Sequence, residues 1–254
     1  MSNYSWINAY FSPTGGTIKV ARAITQGSGC PVREVDLSAQ VSPAALNPDE
    51  ILLAAVPVFG GRVPAVALER LSALKGNGQL AVAVTVYGNR AFDDALLELK
   101  DALTANGFQV AAAGAFVAEH SIVRSIAAGR PDAHDLEAAG NFGAAIMRKL
   151  AGKDLTSIQV PGDPAYREKT GGDSPHPTAG EACVSCGICA KGCPMGAIPL
   201  EAPAKTDGSK CINCMRCVSV CPTNARSLPD AMLAAVEERL KQIASDPKQP
   251  ELFL

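Results

Sequence analysis

The chain has 254 residues, 47% of them hydrophobic and 19% charged, with a formal net charge of -2. That length suits one or two domains, and the apolar content builds a packed core rather than a disordered chain. The charge balance argues against non-specific nucleic-acid binding, which needs a basic excess. No apolar run approaches the ~18–20 residues of a membrane span. Met1-Ser2-Asn3-Tyr4 lacks the basic and apolar regions of a signal peptide. These features predict a cytoplasmic protein with no membrane span and no nucleic-acid partner.

The first elements alternate. A β-rich stretch at 5–11 ends in the loop Ser12-Pro13-Thr14-Gly15-Gly16-Thr17, and a helical pattern then runs to about Gly27-Ser28-Gly29. A short strand is predicted at 33–37. Continuous apolar runs at 51–56, 79–86 and 109–117 read as central strands buried on both faces. Helices are predicted at 64–74, 91–106 and 135–150, with Pro64 and Pro131 placed to begin helices and Gly107 to end one. Such alternation implies right-handed βαβ units in a parallel, doubly wound sheet, and five strands fit its flavodoxin-like order.

From about 156 to 178 the texture changes. Pro161, Gly162, Pro164, Gly171, Gly172, Pro175 and Pro177 punctuate a polar stretch without periodicity, an extended linker. The last periodic segment, 230–244, is an amphipathic helix expected to pack against the small module that precedes it. Pro247 and Pro250 break up the tail.

The loop at 12–17 joins the first strand to the first helix, where free backbone N–H groups face an anion. It is neither a Walker A loop nor Gly-x-Gly-x-x-Gly. It resembles the flavodoxin fingerprint Ser/Thr-x-Thr-Gly-x-Thr, which implies that Ser12 to Thr17 wrap the phosphate of FMN. The flavin ring would then lie against the loops after strands three and four. The first holds Pro57, Val58, Phe59, Gly60, Gly61 and Arg62; the second holds Tyr87, Gly88, Asn89, Arg90, Phe92 and Asp93. Phe59, Tyr87 and Phe92 are the stacking candidates, although any of them serves equally as core. His120, after the fifth strand, is placed to approach the flavin or a partner, or merely to satisfy local hydrogen bonds.

Eight of the nine cysteines lie between positions 183 and 221. Cys183-x-x-Cys186-x-x-Cys189-x-x-x-Cys193-Pro194 is followed by Cys211-x-x-Cys214-x-x-Cys217-x-x-x-Cys221-Pro222, the bacterial iron–sulfur run present twice. Zinc sites also use Cys-x-x-Cys, but as paired knuckles rather than triplets closed by Cys-Pro. In two-cluster ferredoxins the fourth cysteine of each run serves the other cluster. One [4Fe–4S] cluster is therefore assigned Cys183, Cys186, Cys189 and Cys221, and the other Cys193, Cys211, Cys214 and Cys217. The remaining Cys30 reads as a small buried hydrophobe.

Together these features resemble the flavodoxin–ferredoxin fusion proteins of anaerobes. Val56-Pro57-Val58-Phe59-Gly60-Gly61-Arg62-Val63-Pro64, Tyr87-Gly88-Asn89-Arg90 and Ala118-Glu119-His120-Ser121 belong to the likeness, with Phe59 where tyrosine is expected. The resemblance implies a flavodoxin-like FMN-binding domain at 1–155, a linker at 156–178, a small α+β two-cluster ferredoxin domain at 179–228, and a C-terminal helix and tail at 229–254. It implies FMN, two [4Fe–4S] clusters and electron transfer between one- and two-electron redox partner proteins. No catalytic acid, base or nucleophile constellation is evident. The alternatives are a flavin-dependent reductase acting on a small substrate, and a redox sensor.

Overall fold

The computed structural model describes residues 4–168 and 175–254. Met1 to Asn3, and Gly171 and Gly172 of the expected linker, lie outside the described residues. The apolar runs form strands as their patterns require. β1 (Ser5–Tyr10) leads to α1 (Gly16–Ser28), the edge strand β2 (Val32–Asp36) and a short β3 (Ala44–Ala45). Then come β4 (Glu50–Pro57), α2 (Ala65–Leu71), β5 (Leu74–Lys75) and β6 (Leu80–Tyr87). The alternation ends with α3 (Ala95–Ala105), β7 (Gln109–Val117) and α4 (Ala133–Ala151).

The five long strands β2-β1-β4-β6-β7 pair in parallel, which is the order 2-1-3-4-5 of the flavodoxin-like doubly wound fold. β3 pairs with β5 outside this sheet. Successive residues of β4 alternate between two cores. Leu52, Ala54 and Val56 join Leu71, Leu96, Leu99 and Leu103 from α2 and α3, whereas Ile51, Leu53 and Ala55 join Val20, Ile24, Phe142 and Ile146 from α1 and α4. Helices on both faces explain the unbroken apolar runs.

Asp132 accepts from the Asp135 amide at 3.0 Å and Asp135 accepts in return from the Asp132 amide at 3.0 Å, a capping box that starts α4 just after Pro131. α3 begins later than predicted because residues 91–94 form a loop, with Asp93 in the left-handed region. The start of the expected linker is pinned to α3. Asp94 accepts from the amides of Asp163 (2.9 Å) and Arg167 (2.8 Å), and the Tyr166 hydroxyl donates to Asp101 at 2.6 Å. Those two amide bonds hold the Asp94 carboxyl below the usual carboxylate range.

The cysteine module contains β8 (Thr178–Ala179), paired antiparallel with β9 (Arg226–Ser227), and the single-turn helices α5 (Ile188–Lys191) and α6 (Arg216–Ser219). The final helix, α7 (Asp230–Ile243), departs from expectation. Its stripe of Leu233, Val236, Leu240 and Ala244 packs on Ile122, Val123 and Ile126, in the loop after β7, rather than on the cysteine module. That loop offers the apolar side chains that the helix must bury. The tail then adds a sixth strand to the five parallel ones: β10 (Glu251–Phe253) pairs antiparallel with β7, Phe253 opposite Ala113. Two prolines end a helix but leave extended chain free to pair.

Asn89 fastens this return. Its amide donates to Ala244 O at 2.7 Å and Asp246 O at 3.0 Å, and its Oδ1 accepts from the Lys248 amide at 3.0 Å. Asn89 is 3% exposed, so no water replaces these bonds. Three neutral hydrogen bonds are worth roughly 2–3 kcal/mol in total. Asn89→Ala should therefore speed amide exchange at Lys248 and in β10 while leaving β4 and β6 protected. Unchanged exchange in the tail would show that β10 pairing alone holds it.

Candidate functional site

A cavity of about 330 Å³ opens at the carboxyl ends of β1, β4 and β6, the edge where doubly wound sheets hold ligands. Its floor is the loop before α1. Gly15 is left-handed (φ 90°), turning the chain so that the first amides of α1 face the cavity, and a Cβ on Gly16 would come 3.0 Å from that of Ala118. The first turn of α1 carries no acidic residue. Pro13, Thr14, Gly16 and Thr17 line the cavity, whereas Ser12 turns away and its hydroxyl accepts from the Ile18 amide at 3.0 Å. Such an N-terminus, flanked by two threonines, suits a phosphate.

Pro57, Val58, Phe59, Gly60 and Gly61 form one wall, and Tyr87, Gly88 and Arg90 another. Phe59 and Arg62 exchange backbone bonds of 2.9 and 3.1 Å across Gly60-Gly61, both at positive φ as a type I′ turn demands. The structure does not bring Gly15, Arg62, Asn89, Phe92 or Asp93 to the cavity. The Arg62 guanidinium is held by Glu98 at 2.7 and 2.8 Å. Phe92 is buried edge-on to Tyr87, ring centroids 5.5 Å apart, and Asp93 pairs with Arg90 and Arg167. Phe59 and Tyr87 thus remain the aromatic rings at the cavity.

Several lining residues lay outside the predicted set. Arg167 comes from the linker, Val236, Arg239, Leu240 and Ile243 from α7, and Cys214 from the cysteine module. The amphipathic stripe of α7 was legible, but nothing local named the surface it covers. His120 also lines the cavity, packed on Gly88, where a Cβ would lie 2.4 Å from its ring. Its Nδ1 accepts from the Val123 amide at 3.1 Å and the Ile122 amide at 3.3 Å, which leaves the proton on Nε2.

The eight clustered cysteines fall into two groups of four. Cys183, Cys186, Cys189 and Cys221 line one small cavity; Cys193, Cys211, Cys214 and Cys217 line another. The two loops share one backbone pattern. Ser185 and Gly187 are left-handed around Cys186, Asn213 and Met215 around Cys214, and Gly196 and Asn224 follow the two Cys-Pro corners. Each corner sulfur accepts an amide four residues on: Ala197 to Cys193 at 3.3 Å, Ala225 to Cys221 at 3.2 Å. Burial pushes the thiols of Cys211 and Cys217 up, and that of Cys214 up to about 12. At Cys221 burial acts the same way but is outweighed by hydrogen bonds at Thr223 and from the Ala225 amide. Two closed sets of four soft sulfur donors fit iron–sulfur clusters. Cys30 is half-buried and lies apart from them.

The module is seated against the larger cavity. Arg216, beside Cys217, donates to Pro13 O at 3.1 Å, and Arg70 from α2 donates to Pro194 O at 2.5 Å. Cys214 lines both the large cavity and its own sulfur-lined one.

Burial, with Arg90 adding to it, lowers the His120 imidazole from 6.5 to about 4. A depressed histidine is held neutral by the fold, so its contribution to stability is complete above about 6.5 and is lost as pH falls toward about 4. NMR of labelled histidine should show this ring neutral at pH 5. A ring that titrates near 6.5 would contradict the buried, amide-fixed arrangement.

Residues 182–225 match the family described as 4Fe-4S dicluster domain. Among solved structures the chain is similar to a flavodoxin from the domain Archaea, at 16% identity over 58% of this chain and 99% of that one, with a TM-score of 0.40. It is similar to the flavodoxin of Streptococcus pneumonia TIGR4, at 17% identity over 59% and 99%, TM-score 0.40. A third likeness is to rubredoxin oxygen:oxidoreductase from the anaerobe Desulfovibrio gigas, at 17% over 59% of this chain and 36% of that one, TM-score 0.39. No curated protein matches the chain. No described helix is long and apolar enough to cross a membrane. The strand order and the matched cysteine segment together make this chain a fusion of a flavodoxin-like domain with a 4Fe-4S dicluster domain.

Proposed function

We propose that the chain is an electron-transfer protein carrying FMN in the large cavity and two [4Fe–4S] clusters on the two cysteine sets, with Cys221 and Cys193 each serving the opposite loop. The observation that carries this reading is Cys214, a residue that lines both the large cavity and the cavity of one cysteine set. When bound, FMN supplies two-electron chemistry that can also run in single steps, and each cluster carries one electron.

The chain's own residues do the positioning. Thr14, Thr17 and the first amides of α1 hold the phosphate, while Phe59 and Tyr87 confine the ring. Arg216 and Arg70 fix the module against the phosphate loop and α2, keeping donor and acceptor at one distance. α7 and Arg167 wall the cavity and limit water. The far cysteine set presents exposed Cys186 beside exposed Val184 and Leu200. This gives a route from the cavity, through the Cys214 set, to the Cys186 set and an outside redox partner protein. Holding both cofactors in one chain makes their exchange intramolecular.

Anaerobic reconstitution should yield one FMN and eight irons per chain. Stopped-flow reduction of the clusters should then pass electrons to the flavin at a rate independent of protein concentration. A rate proportional to concentration would overturn the intramolecular route.

The ligand sets have a separate test. Cys221→Ala should convert the cluster of Cys183, Cys186 and Cys189 to a three-iron form or lose it, and Cys193→Ala should damage the other. EPR distinguishes the two, and loss of the cluster bound by neighbouring Cys217 in Cys221→Ala would refute the crossed arrangement.

A further inference from the structure

Arg226 is the most buried arginine of the molecule, at 3% exposure, and among the described residues no carboxylate pairs with it. Its guanidinium donates to Pro203 O at 2.6 Å, to Pro177 O at 3.1 Å and to the Thr206 hydroxyl. Carbonyls and a hydroxyl satisfy hydrogens but supply no opposite charge, and among the described residues its Nε has no hydrogen-bond partner. A cation so placed is costly unless an anion stands nearby.

The anion is implied by where the side chain lies. Arg226 Nη1 stands 3.7 Å from Cys189 Sγ, and Arg226 lines the cavity of the Cys183, Cys186, Cys189 and Cys221 set. Its partners Pro177 and Thr206 line the cavity of the other set. The guanidinium is thus in the partition between the two groups of sulfurs. It also acts on Cys217 of the second set, opposing the upward push of burial.

Resting on the two-cluster reading above, we infer that Arg226 is the shared buried counter-charge of the two iron–sulfur sites, raising their reduction potentials and most strongly that of the site built on Cys189. It is a positioning and tuning residue. Each cluster gains one electron and one unit of negative charge on reduction, and a fixed positive charge in the partition favours that gain.

The test uses the full chain reconstituted with iron, sulfide and FMN, and potentiometric EPR with dithionite as the one-electron reductant. Arg226→Gln keeps an amide donor for the carbonyls and removes the charge; Arg226→Lys keeps the charge. In Arg226→Gln the Cys189 cluster should be at least tenfold harder to reduce, about 59 mV lower for one electron. The second cluster should shift in the same direction by less, and the flavin hardly at all. Arg226→Lys should stay within threefold of the unaltered protein. Should Arg226→Gln hold no iron, assembly and normal potentials in Arg226→Lys still support the role of charge. Potentials unmoved in Arg226→Gln, or a lysine variant that behaves like the glutamine one, overturn the inference. Fewer than eight irons in the unaltered chain would instead count against the two-cluster reading on which it rests.

Discussion

The cysteine module buries very little apolar surface of its own, and much of the architecture follows from that shortage. Ala197, Ile198, Met215, Ala225 and Leu228 are nearly all the buried aliphatic side chains it has. A segment this size needs metal or an external surface to fold. It draws on both. Met195 and Ile212 reach out of the module to pack against the core formed by β4, α2 and α3, and Arg70 and Arg216 lock its corners to carbonyl oxygens. The sulfurs occupy the centre that a hydrophobic core would otherwise fill.

The same shortage explains the route of the C-terminus. α7 settles on Ile122, Val123 and Ile126 of the larger domain. From there the chain reaches the open edge of β7 and closes it with β10, while Asn89 grips the connection. An edge strand covered in this way is no longer a template for pairing with other chains. The first domain therefore holds the second from both ends, through the pinned start of the linker at Asp94 and through the returning tail.

Much of this was legible in the residues because the signals were local. The parallel order came from unbroken apolar runs separated by helical periods, and both cysteine runs came from spacing alone. The loop before α1 was legible as a Ser/Thr/Gly run after a strand, although the Ser12 hydroxyl holds the Ile18 amide and Ser12 is not among the residues that line the cavity. The loops after β4 and β6 do reach the cavity, but not every residue singled out in them lines it. Arg62, Asn89, Phe92 and Asp93 look like ligand-binding types, yet each is consumed by another part of the fold: Glu98, the C-terminal tail, the nearby Tyr87 and Arg167. No period or motif encodes such pairings. The docking of α7 was missed for the same reason, since amphipathicity shows that a helix must bury a face without saying against what.

The left-handed residues of the two cysteine loops show how far repetition in sequence is a repetition of physics. Gly187 and Gly196 of the first run correspond to Met215 and Asn224 of the second, and all four hold positive φ. Glycine and asparagine accept that region easily; methionine does not. Met215 is 4% exposed and follows Cys214, so burial of its long side chain offsets the backbone strain. The departures from glycine fall in the second run, at Met215 and Asn224. Met215 lines the cavity of the Cys193, Cys211, Cys214 and Cys217 set, where glycine would leave the space beside the sulfurs open.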